Sequence, residues 1–261
     1  MNRRNFMKAG TVALTSVSLR REIADAAETT APAPAARYVF SMNRNWLYGG
    51  KVDPGSTRPD FDDSKFQQIT LPHTNKLLPW HSFDEKEFQF QSLYRRHFRL
   101  PNACRDRRIF VDFDGVMTAA RVTLNNEKLG EYRGGYTPFS FELTRHLKWN
   151  EDNVLEVEVD STERPDIPPF GENIDYLTFG GIYREVSLRA VPDVHFENIF
   201  AKPINVLSDN RSVDVRCFLG KPSGPAPSAL RLTVELFDGD RPMASEARDI
   251  KVSAEANSYL V

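Results

Sequence analysis

Apolar and polar residues alternate with a period of two along most of the chain after residue 37. Ile109, Val111 and Phe113 alternate with Phe110 and Asp112. Such alternation over four to eight residues is typical of half-buried antiparallel strands. No segment sustains the 3.6-residue period of a helix, which argues against the alternating strand and helix of an α/β barrel. The pattern therefore predicts an all-β chain.

Carboxylates occupy the polar positions of another predicted strand. Leu155, Val157 and Val159 alternate there with Glu156, Glu158 and Asp160. We expect these carboxylates to lie on a solvated strand face, because charged side chains are rarely buried.

Turn residues divide the predicted strands. Asn125-Asn126 lies between two apolar runs and predicts a hairpin turn. The stretch Ser161 to Thr178 is long, irregular and rich in Pro and Gly. A loop of this length in a compact β domain is usually functional or disordered.

Two blocks of strands follow each other. The first spans residues 38–190, and the second begins near Val191-Pro192 and runs to Val261. Strands are predicted in the second block around residues 196–201, 213–219, 230–237 and 247–252. Their spacing is typical of an immunoglobulin-like sandwich, which has about seven strands. We therefore expect residues 191–261 to form an incomplete sandwich of this kind.

The first residues resemble an export signal. Arg3-Arg4 is followed by Phe6, Met7 and Lys8, as in the twin-arginine signal of bacteria, and a modest apolar stretch runs from Ala9 to Leu19. Cleavage is expected after Ala26, which gives a signal peptide over residues 1–26 and an Ala/Pro-rich linker over residues 27–37. The resemblance implies a periplasmic or extracellular protein. The alternative is a basic, disordered N-terminal arm.

Composition excludes several functional classes. There are 34 Lys and Arg residues against 36 Asp and Glu, a formal net charge of -2 that provides no field for steering onto nucleic acid. The apolar stretch near the N-terminus is too short and polar for a permanent membrane anchor. Cys104 and Cys217 are expected to be separate, unreactive thiols, and the five histidines show no metal-ligand spacing.

A series of short motifs carries a resemblance to a known family. The run Phe179 to Leu188, Phe-Gly-Gly-Ile-Tyr-Arg-Glu-Val-Ser-Leu, follows Leu71-Pro72-His73, Tyr94-Arg95-Arg96 and Gly134-Gly135-Tyr136 in order. Together these resemble the sugar-binding domain of glycoside hydrolase family 2, which contains β-galactosidases and β-glucuronidases. The resemblance implies a jelly-roll-like (galactose-binding-like) β-sandwich over residues 38–190, followed by the start of the immunoglobulin-like domain.

The resemblance also implies a role for Asp175. In β-galactosidases of the family, the aspartate at the matching position reaches into the catalytic pocket, where it helps to hold a sugar hydroxyl and a monovalent cation. A carboxylate suits both tasks. The alternative is that Asp175 caps a turn or pairs with an arginine. The family's assisting asparagine has no clear counterpart in residues 88–93, which weakens the case for a full galactoside site.

Four residues of the main motif are predicted to be structural. Gly180 and Gly181 permit backbone angles and close approaches that a Cβ would prevent. Tyr183 and Arg184 flank a strand, and the planar donor fork of Arg184 is expected to lock neighbouring loops.

Three further aromatic residues have two interpretations. His73 with Trp80, and Trp46 separately, are either sugar-stacking groups or anchors of the core and loops, and the anchor interpretation is favoured. No row of exposed aromatic residues is evident from the sequence.

The resemblance implies that catalysis lies elsewhere. Retaining glycosidases of this family carry two carboxylates on a (β/α)₈ barrel, which takes about 250 residues after the immunoglobulin-like domain. We expect this chain to be the non-catalytic N-terminal part of an exported β-galactosidase-like hydrolase, with a β-glycoside as the ligand of the parent enzyme. The alternatives are a free-standing carbohydrate-binding or interaction module, and a subunit that complements a separately encoded barrel. Beyond the possible monovalent cation, no cofactor is expected.

Overall fold

A computed structural model describes residues 18–20, 37–53, 55–56, 58, 61–79, 81, 84–171, 176, 178–225, 229–252 and 258–261. The predicted signal and linker therefore lie outside the described residues, apart from Ser18–Arg20 and Arg37. Two compact units are present. One is Pro34–Pro192, and the other contains Asp193–Val261 together with residues 18–20.

The described residues are mostly strands. In chain order the strands are β1 (Ser18–Arg20), β2 (Tyr38–Ser41), β3 (Trp46–Lys51), β4 (Gln67–Ile69), β5 (Gln91–Phe98), β6 (Arg108–Phe113), β7 (Ala119–Leu124), β8 (Glu127–Arg133), β9 (Phe139–Glu142), β10 (Asn153–Asp160), β11 (Val186–Val191), β12 (Phe196–Ile204), β13 (Ser212–Leu219), β14 (Leu230–Asp238), β15 (Arg241–Ile250) and β16 (Ser258–Leu260). Short 3₁₀ helices cover Glu85–Glu87, Asn102–Cys104 and Thr144–His146. Within the described ranges, no helix has the length and apolar character needed to cross a membrane.

The larger unit is a sandwich of two antiparallel sheets. One sheet has the strand order β4-β3-β5-β10-β7-β8, and the other has the order β2-β11-β6-β9. Its core combines Val111 and Phe113 of β6 with Leu155 and Val157 of β10, all of them fully buried. The alternating pattern in β6 thus corresponds to one buried and one outer face. The prediction of an all-β sandwich is confirmed.

The predicted hairpin at Asn125-Asn126 joins β7 to β8. Both asparagines have positive φ, 52° and 71°. A two-residue hairpin of the type I′ requires φ above zero at both central positions, and asparagine tolerates this better than most residues. The turn sets the register in which Leu124 pairs with Glu127.

The smaller unit contains two three-stranded sheets, ordered β1-β14-β15 and β12-β13-β16. Its buried residues alternate along β13 and β14 and include Cys217, Leu219 and Leu232. The last long strand begins at Arg241, earlier than the predicted segment 247–252, because it forms a hairpin with β14 around Gly239, where φ is 60°. Both cysteines are free and buried, and burial raises the pKa of each thiol, as expected for unreactive groups.

One expectation about the polar face of β10 is wrong. Glu158 and Asp160 are partly exposed, but Glu156 is only 6% exposed. Its Oε2 lies 3.3 Å from Nε of Arg95, the residue opposite it on β5, and Arg95 is also buried. Nη1 of Arg95 lies 2.9 Å from Oδ2 of Asp63, which belongs to the segment leading to β4. A buried ion cluster therefore replaces the solvated face at this point.

Burial and neighbouring charges shift the pKa values of Glu156 and His97, which belong to this cluster or border it. Burial raises the pKa of Glu156 to about 7, against the lowering effect of Arg95. His97 lies between two carboxylates, with Nε2 2.9 Å from Asp63 and Nδ1 2.7 Å from Asp152. Burial alone would lower the pKa of His97, but these hydrogen bonds and charges outweigh it and raise the pKa above its usual value.

These shifts predict that the larger unit becomes less stable as the pH rises from 5 to 8. His97 has a raised folded-state pKa, so its contribution is complete below about 6.5 and is lost as pH passes through that folded pKa. Glu156 keeps its proton longer in the folded protein, so stability also falls between about 4.5 and 7. Urea unfolding at a series of pH values measures the slope.

Two variants separate the contributions. Glu156→Gln should reduce the pH dependence of the free energy of unfolding in the lower part of the pH range. His97→Asn should reduce it in the upper part. A free energy of unfolding that is constant from pH 5 to 8 in the unaltered protein would contradict both assignments.

Candidate functional site

The loop end of the larger unit is organised around the backbone of Gly180–Ile182. The carbonyl of Ile182 accepts from the N–H of His73 at 2.8 Å, and that of Gly180 accepts from the N–H of Asn75 at 3.0 Å. Gly181 exchanges two hydrogen bonds with Met117, at 3.0 and 3.3 Å. The segment thus lies between two other loops and pairs with both. We call Gly180–Ile182 the central strip.

The two glycines of the central strip allow this approach. Gly181 has φ of +109°, and a Cβ there would lie 2.7 Å from the carbonyl oxygen of His73. A Cβ on Gly180 would lie 2.5 Å from Oδ1 of Asn75 and 2.6 Å from Oγ of Ser161. Side-chain Cβ atoms are not tolerated at these distances, so both positions require glycine.

Buried polar groups hold the loops on either side. Asn75 donates from Nδ2 to the carbonyl of Phe88 at 2.8 Å, and Tyr48 donates to the carbonyl of Asn75 at 2.8 Å. The hydroxyl of Tyr94 lies 3.0 Å from Nδ1 of His73. Burial lowers the pKa of His73, which favours the neutral ring.

The structure therefore supports the anchor interpretation of His73. Trp46 is fully buried and donates from Nε1 to the carbonyl of Met42 at 2.6 Å, so it is also an anchor. Trp80 lies outside the described residues.

Aromatic side chains cover part of the loop end. Tyr183 donates to the carbonyl of Gly135 at 2.5 Å, and its ring meets that of Tyr136 edge-on at 6.5 Å between centroids. Burial and a hydrogen bond to Tyr176 raise the pKa of Tyr136. Tyr136 and Tyr176 are 41% and 52% exposed. We call Tyr136, Tyr176 and Tyr183 the aromatic patch.

The sequence did not indicate this patch. Its members come from two loops about 40 residues apart, and no periodic pattern links them. The nearest signal was the presence of tyrosines within the motifs that carry the family resemblance. Only the folding of the two loops against each other brings the rings together.

Arg184 does not show the predicted donor fork. Its guanidinium lies over the ring of Tyr183, 5.4 Å from the centroid, and the side chain is exposed. In the described part of the chain it forms no ion pair with a carboxylate. A cation over an aromatic face contributes about 0.5–1 kcal/mol at exposed sites. Arg184 is thus a surface cation beside the aromatic patch.

Asp175 lies outside the described residues, and the structure describes the loop on both sides of it. On one side, Oε1 of Glu163 accepts from the N–H of Gly171 at 2.7 Å. On the same side, Arg164 pairs with Asp166 at 3.1 Å. On the other side, the central strip begins at Gly180. The described residues before Asp175 are thus linked within the loop, and those after it pair with neighbouring loops through the central strip.

A shallow cleft lies beside the fixed start of this loop. It has a volume of about 370 Å³, and its lining includes Met117, Ser161, Glu163 and Thr178. Within the described ranges there is no group of three or more His, Cys, Asp or Glu side chains able to hold a metal ion. The described part of the loop end thus offers hydroxyls, amides, aromatic faces and the carboxylate of Glu163.

The larger unit is a β-sandwich whose loop end carries polar and aromatic side chains. Comparison with known proteins identifies its family. Residues 71–169 match the family described as glycosyl hydrolase 2 galactose-binding domain-like. The resemblance inferred from the motifs is thus confirmed, and the chain carries the galactose-binding-like N-terminal domain of glycoside hydrolase family 2.

Relatives of known activity share this part of the chain. A β-galactosidase of Thermoanaerobacter pseudethanolicus is 42% identical over 165 residues, which are 63% of this chain and 22% of that protein. A β-galactosidase of Thermoanaerobacterium thermosulfurigenes is also 42% identical, over 69% of this chain and 25% of that protein. The crystal structure of a Bacteroides uniformis β-glucuronidase superposes with a TM-score of 0.75 at 28% identity, covering 86% of this chain and 27% of that one. This chain thus spans about a quarter of the length of these proteins.

Substitution of the central glycine should destabilise the loop end. We expect Gly181→Ala to lower the free energy of unfolding by about 3 kcal/mol, because it combines an unfavourable φ with a clash against backbone. Gly171→Ala is the matched control, since Gly171 also has positive φ, +90°, but has open space around its Cα. The control should cost about 1 kcal/mol. Equal losses in urea unfolding would show that the close approach has no energetic role.

Proposed function

We propose that this chain is the non-catalytic, sugar-binding N-terminal portion of an exported family 2 glycosidase. The parent enzyme hydrolyses the O-glycosyl bond of a β-glycoside, with β-galactosidase-like specificity. The observation that carries the proposal is the loop end of a galactose-binding-like domain, where exposed aromatic rings lie beside the central strip. The 42% identity to each of two β-galactosidases supports the sugar class.

The role proposed for Asp175 is to bind a sugar hydroxyl together with a monovalent cation. The described residues Gly171 and Gly180 on either side of it form backbone hydrogen bonds. A carboxylate accepts hydrogen bonds from sugar hydroxyls and is a hard oxygen ligand for a cation. Tyr136 and Tyr176 add exposed rings of the kind on which apolar sugar faces stack.

The hydrolytic carboxylates are proposed to lie in another segment of the parent enzyme. Several carboxylates of the sandwich are neutralised by arginines, such as Asp112 by Arg189 at 2.7 Å and Glu142 by Arg108 at 2.6 Å. Burial acts to raise the pKa of Asp112, but the hydrogen bonds and charge of Arg189 outweigh it and lower the pKa, and Arg108 lowers the pKa of Glu142. Neither group has the raised pKa that a general acid requires. These relatives are roughly two and a half to three times as long as this chain, which leaves room for a catalytic barrel elsewhere.

A second arrangement is a subunit that works with a separately encoded barrel. One observation favours it. A protein of Latilactobacillus sakei that is 30% identical over 62% of this chain is named the large subunit of a β-galactosidase. Division of a family 2 enzyme between chains is therefore compatible with a domain of this kind. Interdomain surfaces resemble protein interfaces, so such parts can associate.

Removing the carboxylate should impair the parent enzyme. We expect Asp175→Ala in the complete glycosidase to lower kcat/KM for nitrophenyl β-galactoside about tenfold to a hundredfold, because a hydrogen bond to a charged group is lost. Sodium or potassium should no longer change the rate. Asp166→Asn is the control, because this carboxylate of the same loop pairs with Arg164 and Arg133. Unchanged kcat/KM in Asp175→Ala would disprove the role, and hydrolysis by purified residues 1–261 would disprove the non-catalytic assignment.

Export is proposed to depend on the first arginine pair. Replacing Arg3 and Arg4 by lysine keeps the charge but removes the guanidinium groups that the export receptor reads. We expect the protein to remain inside the cell, as measured by fractionation and immunoblotting. Replacing Arg20 and Arg21 by lysine is the matched control and should leave export intact. Export of the first variant at the normal level would refute the twin-arginine assignment.

A further inference from the structure

A short segment before β4 lies across the outer face of the six-stranded sheet, the face that points away from the core. It comprises residues 61–66, which we call the strap. The ring of Phe66 packs on β3, where a Cβ added to Gly49 would lie 2.4 Å from it. The ring of Phe61 lies 5.5 Å from that of Phe66, measured between centroids. These rings hold the end of the strap that leads into β4.

Charged contacts hold the middle of the strap. Oδ2 of Asp63 lies 2.9 Å from Nη1 of Arg95 and 2.9 Å from Nε2 of His97, two residues of β5. The carbonyl of Phe61 accepts from the same Nη1 at 3.2 Å. The second ring nitrogen of His97, Nδ1, lies 2.7 Å from Oδ2 of Asp152 in the turn before β10. His97 thus links the strap to that turn.

The two contacts of His97 require a charged ring. A carboxylate only accepts hydrogen bonds, and a neutral imidazole has a single N–H group. Both ring nitrogens therefore donate at once only in the imidazolium form. When the ring loses a proton, one nitrogen becomes an acceptor that faces a carboxylate, and the hydrogen bond at that nitrogen is lost. The contacts on both sides of His97 thus belong to the protonated ring.

The charge balance around His97 changes in the same direction. In acid, Arg95 and His97 balance Asp63 and Asp152, while Glu156, whose pKa burial raises to about 7, is neutral. At alkaline pH, Arg95 is the one cation left against three carboxylates. Because the side chain of Asp63 is only 16% exposed, solvent ions screen this excess of negative charge less than at the surface.

Other charged groups near the cluster do not offset this change. They are Arg58, Asp62, Lys65, Arg96, Arg121, Lys148 and Glu158. All of them keep their charge between pH 5.5 and 8.5. The change in net charge across this range therefore comes from His97 and Glu156.

We propose that the strap is a pH-sensitive flap, closed on the sheet while the ring of His97 is protonated and released when His97 and Glu156 have lost their protons. Arg95 keeps a partner on release, because Oε2 of Glu156 lies 3.3 Å from its Nε. Asp63 then leaves a region of excess negative charge for water. The flap lies on a different face from the loop end and does not depend on the function proposed there.

Hydrogen exchange of residues 1–261, followed by mass spectrometry, tests for this flap. The reporter is a peptide that spans the strap, in which the N–H of Phe66 donates to the carbonyl of Asp63 at 2.9 Å. After correction for intrinsic exchange rates, we expect the strap to exchange about tenfold to a hundredfold faster at pH 8.5 than at pH 5.5, as for the loss of a hydrogen bond to a charged group. Low concentrations of urea should hardly change this rate, because the opening is local. Exchange in β6 requires global unfolding and should rise steeply with urea.

Variants assign the effect to the cluster. His97→Gln carries no charge, so at pH 5.5 its strap should already exchange about as fast as that of the unaltered protein at pH 8.5. Glu156→Gln cannot become charged and should reduce the increase at pH 8.5. His146→Gln is the matched control, because His146 lies in the short helix Thr144–His146, outside the cluster, and it should leave the pH dependence unchanged.

Three results would overturn the proposal. The first is an equal exchange rate of the strap at the two pH values. The second is a urea dependence of the strap as steep as that of β6, because the strap would then open only together with the whole sandwich. The third is a full pH dependence retained in His97→Gln, which would show that other groups control the strap. If this variant does not fold, the unaltered protein at the two pH values, with and without urea, decides alone.

Discussion

The close approach of three backbone segments at the central strip is the constraint on which the loop end depends. Gly180 and Gly181 pair with the loops containing Asn75 and Met117, and neither position has room for a Cβ. Backbone groups that are removed from water must find partners, and here the strip supplies them to two loops at once. The loop containing Asp175 is therefore attached to the sandwich at a fixed point, and the aromatic patch lies beside it. Loss of this approach would release all three loops together.

Polar side chains have different partners near the two ends of β10. At the loop end, polar side chains are fixed by hydrogen bonds to backbone, as Ser161 shows by donating to the carbonyl of Met117 at 2.9 Å. On the outer face, Arg95, Asp63 and Glu156 instead form an ion cluster that is largely removed from water. Burial of charge is costly unless partners compensate it, and here the guanidinium of Arg95 lies against both carboxylates. The same strand thus carries hydrogen-bonded polar contacts at one end and a buried ion cluster near the other.

Much of the fold was predictable because the alternation of apolar and polar residues along a strand indicates which side chains are buried. In β6 the buried residues Ile109, Val111 and Phe113 are the apolar ones, and at the β7–β8 turn the asparagines have the positive φ that their type suggested. The candidate site was predictable only in part. Gly180 and Gly181 could be recognised from a motif, but the reason for them is the position of Asn75 and His73, about 100 residues earlier in the chain. Arg184 was expected to join loops, whereas it lies on the ring of Tyr183.

The sequence by itself determined the strands, the hairpin turn and the family of the larger unit, because these depend on local period, local backbone preference and ordered motifs. Only the tertiary structure decided that Glu156 is buried while Glu158 on the same face is partly exposed. The two carboxylates have the same pattern along the chain, and the difference arises from Arg95 and Asp63 on other elements. It also decided that Tyr136 meets Tyr176 and Tyr183. Contacts between distant segments depend on how sheets and loops pack in three dimensions, and a one-dimensional pattern does not contain that information.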